Sequence, residues 1–149
     1  MSTNATTIIA AIKVQAASVL GTSYVELAYS NNLDKNSFNG NFKRYGVLPA
    51  DATEISSITN YVTIDQNFEL ILIDSFINTA MSDSAESAKG SALQDLAYDV
   101  YRNLISTKCG VPNSVIQVHS FTAAKPETIE DKAVTVRASF SVKYRALIA

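Results

Sequence analysis

Val134-Thr135-Val136-Arg137-Ala138-Ser139-Phe140-Ser141-Val142-Lys143-Tyr144-Arg145, near the C-terminus, decides the fold. Its even positions are Val, Val, Ala, Phe, Val and Tyr, and its odd positions Thr, Arg, Ser, Ser, Lys and Arg. Period-two alternation of this length predicts one long β-strand with an apolar and a wet face. At a rise of about 3.3 Å per residue the stretch spans roughly 40 Å, well beyond the usual globular strand. A strand of that reach is either the centre of a sheet or one arm of a ribbon.

A second stretch of similar proportion runs from Tyr61 to Phe76. Val62, Ile64, Phe68, Leu70, Leu72 and Phe76 share one parity. The other parity carries Thr63, Asp65, Asn67 and Glu69 and then turns apolar at Ile71 and Ile73, which predicts cover on both faces at that end. Around these two strands the remaining elements fall into order. Asn4 or Thr3 caps a helix with Ile8, Ile12, Ala16 and Val19 on its inner stripe, and Gly21 ends it. Val25, Leu27 and Tyr29 alternate as a short strand. Ser30 to Asn41, rich in asparagine, reads as a polar loop or hairpin tip with Phe38 on it. Phe42 to Val47 and Glu54 to Ile58 read as two strand pieces separated by Pro49-Ala50-Asp51. Asp83 with Glu86, and Ser91 with Gln94, offer two starts for a second helix. Its stripe is Leu93, Leu96, Ala97, Val100 and Leu104, widened by Tyr98, Tyr101 and Ile105, and Gly110 and Pro112 stop it. Ser114 to Thr122 is a further strand, and a loop at Lys125-Pro126-Glu127 returns the chain to the long one. Helix, strands, helix, strands predicts a single α+β domain over residues 1–149: one mostly antiparallel β-sheet with two α-helices packed on one face.

The totals narrow the function classes. Charged residues make up 17% and apolar ones 47%, so Ser, Thr, Asn and Ala must cover much of the surface, which suits a subunit with buried partners. A net charge of −2 gives no general attraction to nucleic acid or an acidic membrane. One cysteine, Cys109, rules out an internal disulfide framework and fits cytoplasmic synthesis. No apolar run approaches the roughly 18 residues of a membrane span, so a soluble protein is expected.

Candidate chemistry is sparse. His119, the sole histidine, falls beside Gln117 on the polar face of its strand, where a surface role competes with that of a ligand or base lacking evident partners. Cys109 lies at the end of the second helix, where the dipole disfavours a thiolate, so packing is the expected role. Asp95 and Asp99 stand one turn apart, but Arg102 follows them, and a solvated face accounts for all three. Lys89-Gly90-Ser91 lacks the spacing of a phosphate loop. No enzyme activity, metal or cofactor is expected. Arg137, Lys143 and Arg145 share the outward parity of the last strand, and no acidic residue follows Asp131. They are read either as a solvated row or as a contact to an acidic partner surface.

Phe42-Lys43-Arg44-Tyr45-Gly46-Val47, the strand from Tyr61 to Ile77 and the closing Ala133-to-Arg145 strand together resemble the tail terminator, or tail completion, proteins of long-tailed bacteriophages. The likeness runs from Phe42 onward, in the order of elements and the closing strand. It implies a virion structural subunit that forms a ring, with six copies expected, on the head-proximal end of the tail tube. Such a ring stops tube polymerisation and joins the tube to the head connector or neck protein, and viral DNA passes its lumen without sequence-specific binding. Other head-to-tail joining proteins, and more distantly a small-ligand-binding or metabolic α+β domain, are the alternatives. The candidate interface residues are Phe38, Phe42, Tyr45, Arg137, Lys143 and Arg145.

Overall fold

A computed structural model of the chain describes residues 3–28, 42–75, 82–111, 116–129 and 132–147. The expected loop at 30–41, with Phe38, lies outside them, as do Tyr29, Phe76 and residues 112–115. Within them the protein is α+β, a mostly antiparallel sheet with two helices on one face. Helix α1 is Ala5–Leu20, and α2 is Asp83–Thr107. The strands are β1 (Val25–Glu26), β2 (Lys43–Ile58), β3 (Tyr61–Ser75), β4 (Gln117–Ala123), β5 (Glu127–Ile129) and β6 (Ala133–Leu147). They lie in the order β1-β2-β3-β6-β4, with β5 pairing β6 beyond β4.

The closing strand is central. β6 pairs β3 antiparallel along its whole length, from Ala133 opposite Ser75 to Leu147 opposite Tyr61. Its even residues Val134, Val136, Ala138, Phe140, Val142 and Tyr144 are all buried in the main core beneath the helices. Phe68 and Phe140 are direct cross-strand partners, ring centroids 6.2 Å apart. Gln66, on the inner parity of β3, is buried and accepts a hydrogen bond from the Tyr144 hydroxyl at 2.8 Å. A polar group at that depth is tolerated because its partner is built in. Burial pushes the Tyr144 phenol above its ordinary pKa.

Both helices meet the expected stripes. α1 buries Ile8, Ile12, Ala16 and Leu20, with the Asn4 side chain accepting from the Thr7 N–H and Gly21 closing the end at φ 79°. α2 takes the earlier of its two expected starts, but the cap is Ser82, one residue before Asp83. The Ser82 hydroxyl accepts from the Ala85 N–H, which leaves Asp83 and Glu86 to face the positive end of the dipole in the first turn. α2 buries Leu93, Ala97, Val100 and Leu104. Tyr98 and Ile105 do not widen that stripe: both are about half exposed, since the sheet and α1 already fill the inner face. Gly90, read above as no phosphate loop, has a packing reason. A Cβ there would come within 2.5 Å of Pro126 Cγ, so glycine lets the loop after β4 lie against the helix. α2 ends in a left-handed turn, Lys108, Cys109 and Gly110 at φ 51°, 58° and 68°.

Four expectations are corrected. The two strand pieces around Pro49 are one strand, β2, whose pairing with β3 shifts register between Pro49 and Ala52 and again between Glu54 and Ser56. Proline is admitted because β2 is an edge strand there: β1 covers only Arg44 and Tyr45, in parallel pairing. The expected strand Val25 to Tyr29 shrinks to β1, with Val25 exposed and Leu27 buried. The strand expected from Ser114 begins at Gln117, and a short strand not foreseen, β5, follows the Pro126 break and continues along β6. The outer face of β6 is not wet throughout either. Thr135 and Ser141 are buried, and Leu27, Phe42, Ile71, Ile73 and Ala133 form a second small core on that side. The switch to apolar residues at Ile71 and Ile73 marks this two-sided end.

Candidate interaction surface

The sheet has two unlike ends. Near Ile71 and Ile73 it is covered on both faces. At the other end β2 and β3 run on beyond the helices and meet at a two-residue turn, Thr59-Asn60, with Ile58 opposite Tyr61. Every residue from Pro49 to Tyr61 is exposed. Ile55 is 50% exposed, Ile58 60% and Tyr61 42%. The second register shift in β2, between Glu54 and Ser56, breaks the two-residue alternation there and sets Ile55 and Ile58 three apart. Sequence reading missed this surface. Its signal was present in the spacing of Ile55 and Ile58 and in the Thr59-Asn60 pair between two strands.

On the outer face, register brings charges together that are far apart in sequence. Arg137 is ion-paired with Glu69. Lys143 stands opposite Asp65 on one side and Gln117 on the other. Asp65 also lies 2.9 Å from His119 Nε2, while His119 Nδ1 is 2.8 Å from the Ser120 hydroxyl. Ser141 donates to Asn67. The expected basic row therefore shares one parity, as predicted, but β3 answers most of it. Arg145, exposed and opposite Thr63, has no acidic partner among the described residues.

Ser120, His119 and Asp65 form a hydrogen-bonded series that sequence reading did not assemble. Ser120 sits at φ 63° in the shift between His119 and Thr122, so the kink of β4 aims its hydroxyl back at the ring. Acyl transfer would also need donors converging on a carbonyl oxygen in a cleft. This series lies on an open sheet face, where it ties β4 to β3 across β6.

Phe42 and Tyr45, expected at a partner interface, are occupied within the subunit. Phe42 is 4% exposed in the second core, held by Phe42–Ser75 hydrogen bonds and with the Arg44 guanidinium 5.6 Å from its ring. Tyr45 is 7% exposed on the opposite parity, packed in the main core, and burial raises its phenol pKa. Cys109 is fully buried, and desolvation pushes its thiol up to about 12. The Gln15 side chain packs on Gly110 and accepts from Asn103 Nδ2 at 2.9 Å, which locks this turn to α1. Between the helices Val19, Asp99, Arg102, Asn103, Ile105 and Ser106 line a shallow open groove. Among the described residues no three His, Cys, Asp or Glu side chains converge as metal ligands, and no helix is long and apolar enough to cross a membrane.

The chain is thus an α+β protein whose distinguishing surface is a bare sheet end. No protein-family model matches it, and no curated protein does.

Proposed function

We propose that the protein is a structural subunit of a bacteriophage virion, similar to a tail terminator, which forms a ring on the head-proximal end of the tail tube. The ring, of six copies, ends tube growth and presents a face to the head connector. The observation that carries the reading is the uncovered sheet end, where Ile58 and Tyr61, paired across the hairpin, and Ile55, at the register shift beside them, are about half exposed. Apolar side chains fixed in that way are characteristic of surfaces completed by a partner. The stretches that carry the family resemblance lie in β2, β3 and β6; β3 and β6 run into this end, whereas the β2 portion, Phe42 to Val47, pairs at the covered end. A low charge fraction fits flanks covered by neighbouring copies.

Native mass spectrometry with class-averaged electron micrographs tests it. Closed rings are expected, alone or with tail-tube subunits present, and tubes grown with the protein should stop at a defined length. A strict monomer at tens of micromolar, unchanged by tube subunits, would overturn the reading.

A further inference from the structure

We propose that the outer side of the two helices docks a second copy of this chain about a two-fold axis, α1 lying antiparallel across α1 and α2 across α2. The inference goes beyond the ring reading and does not depend on it.

α1 has no charged residue on its exposed side. Thr6, Ala10, Val14, Ala17 and Ser18 are exposed there, Val14 by 65%. The only charged side chain of the helix, Lys13, turns to Glu26 of its own chain at 2.6 Å. A helix without a charged side suits one that is covered all round. Beside it the shallow groove continues onto α2, where Ile105 is 47% exposed.

Charge on α2 selects the occupant. Asp99 and Arg102, three residues apart and both exposed, share the outer side of the helix. Among the described residues neither has an ion pair: Arg102 lies over the Tyr98 ring, 5.9 Å from its centroid, and Asp99 has no partner. Antiparallel packing of α2 on α2, about an axis midway between the two residues, sets Asp99 of each copy against Arg102 of the other, and Asp95 then falls opposite Ser106. Two ion pairs form and no charge meets its like. A partner of one charge sign would instead satisfy one of the two residues and repel the other.

The same axis suits α1. Gln15 is hydrogen-bonded to Asn103, and Val19 shares the groove with Asp99 and Arg102, so the axis crosses the last turns of α1 by Ala17 and Ser18. Small side chains at that crossing let the helices approach closely. Val14 then falls over Gly21 of the second copy. Among the described residues nothing lies within 4 Å of the position a Cβ of Gly21 would take, so the valine has room.

Native mass spectrometry and sedimentation velocity of the full chain test the contact. The wild type is expected to pair, as a dimer or, where rings form, as two rings back to back. Asp99→Arg sets arginine against Arg102, and Arg102→Asp sets aspartate against Asp99. With circular dichroism unchanged, each single variant should weaken pairing by about tenfold or more. Mixed in equal amounts the two should recover it as one-to-one hetero-pairs, and the double variant, Asp99→Arg with Arg102→Asp, should pair with itself. Val14→Glu, which puts a charge on the neutral strip, should weaken pairing as well. Full-strength pairing in either single charge variant, or a mixture and a double variant that both stay apart, would overturn the contact. A wild type that stays unpaired at tens of micromolar would overturn it too, and would leave the ring reading standing if single rings form. Dimers without rings, alone or with tube subunits, would support the contact and remove the ring reading.

Discussion

Phe140→Ala is the sharpest test of how the sheet is held. Phe140 is 2% exposed, faces Phe68 directly across the central strand pair, and has the Tyr101 ring 6.3 Å away. Truncating a buried phenylalanine costs about 3–5 kcal/mol, set by how far the surroundings collapse into the space. Here β6 is fixed by β3 on one side and β4 on the other, so its backbone has little room to move, and about 4 kcal/mol is expected. Against a total stability of about 5–15 kcal/mol the variant should still fold at 25 °C. With a urea slope of about 2 kcal/mol per molar, the midpoint should fall by roughly 2 M. The chain has no tryptophan, so far-UV circular dichroism and tyrosine fluorescence would follow the transition. Ser139→Lys is the control: Ser139 is exposed on the other face, opposite Glu69, and a lysine there should change stability by no more than about 0.5 kcal/mol. A loss below about 1 kcal/mol for Phe140→Ala, or an equal loss for Ser139→Lys, would refute the assignment of faces.

Two further outcomes follow from the packing. Gly90→Ala should destabilise, although alanine is favoured by about 1 kcal/mol inside a helix, because its Cβ would meet Pro126 at 2.5 Å; thermal melts should show the loss and Pro126→Gly should relieve it. Stability should also fall as pH rises from about 9 to about 12, since the Cys109 thiol goes from an ordinary 9.0 to about 12 on folding and Tyr24, desolvated and near Asp74, from 10.0 to about 12. The folded state holds those protons more tightly, so their contribution is complete below the unfolded values and is lost as pH climbs through the folded ones. Urea melts at pH 8 and pH 11 read the drop, and Cys109→Ala should shrink it.

What could be read from the sequence was whatever depends on local period. The parity of β6, the apolar switch at Ile71 and Ile73, and the stripe and cap of α1 each involve residues a few positions apart, where side-chain direction follows directly from backbone geometry. Pro49 misled because its effect depends on whether a strand lies alongside, and edge position is a property of the sheet. Tyr45 and Phe42 were read as partner contacts. The odd spacing between them puts them on opposite faces, and each face has its own core to receive one. The basic row on β6 was visible, but Asp65 and Glu69, which stand opposite it, lie at least 68 residues upstream of the residues they face and come into place only through register.

The difference between the two ends of the sheet also bears on why the bare end persists. Natural edge strands are commonly defended by lysine, proline, a bulge or a covering segment. β2 uses three of these near the body of the protein, Pro49, the register shift after it and the short cover of β1, and largely stops there. From Ala52 to Ile58 the strand is Ala-Thr-Glu-Ile-Ser-Ser-Ile, with one charge, no proline and two exposed isoleucines. The shift at Ile55 is its single irregularity. A monomer that spent its life in water would gain solubility from a lysine at almost any of these positions without disturbing the core, because none of them is buried. A strand left open in this way, with a single acidic residue on it, is not required by folding, which the Phe68–Phe140 core already meets.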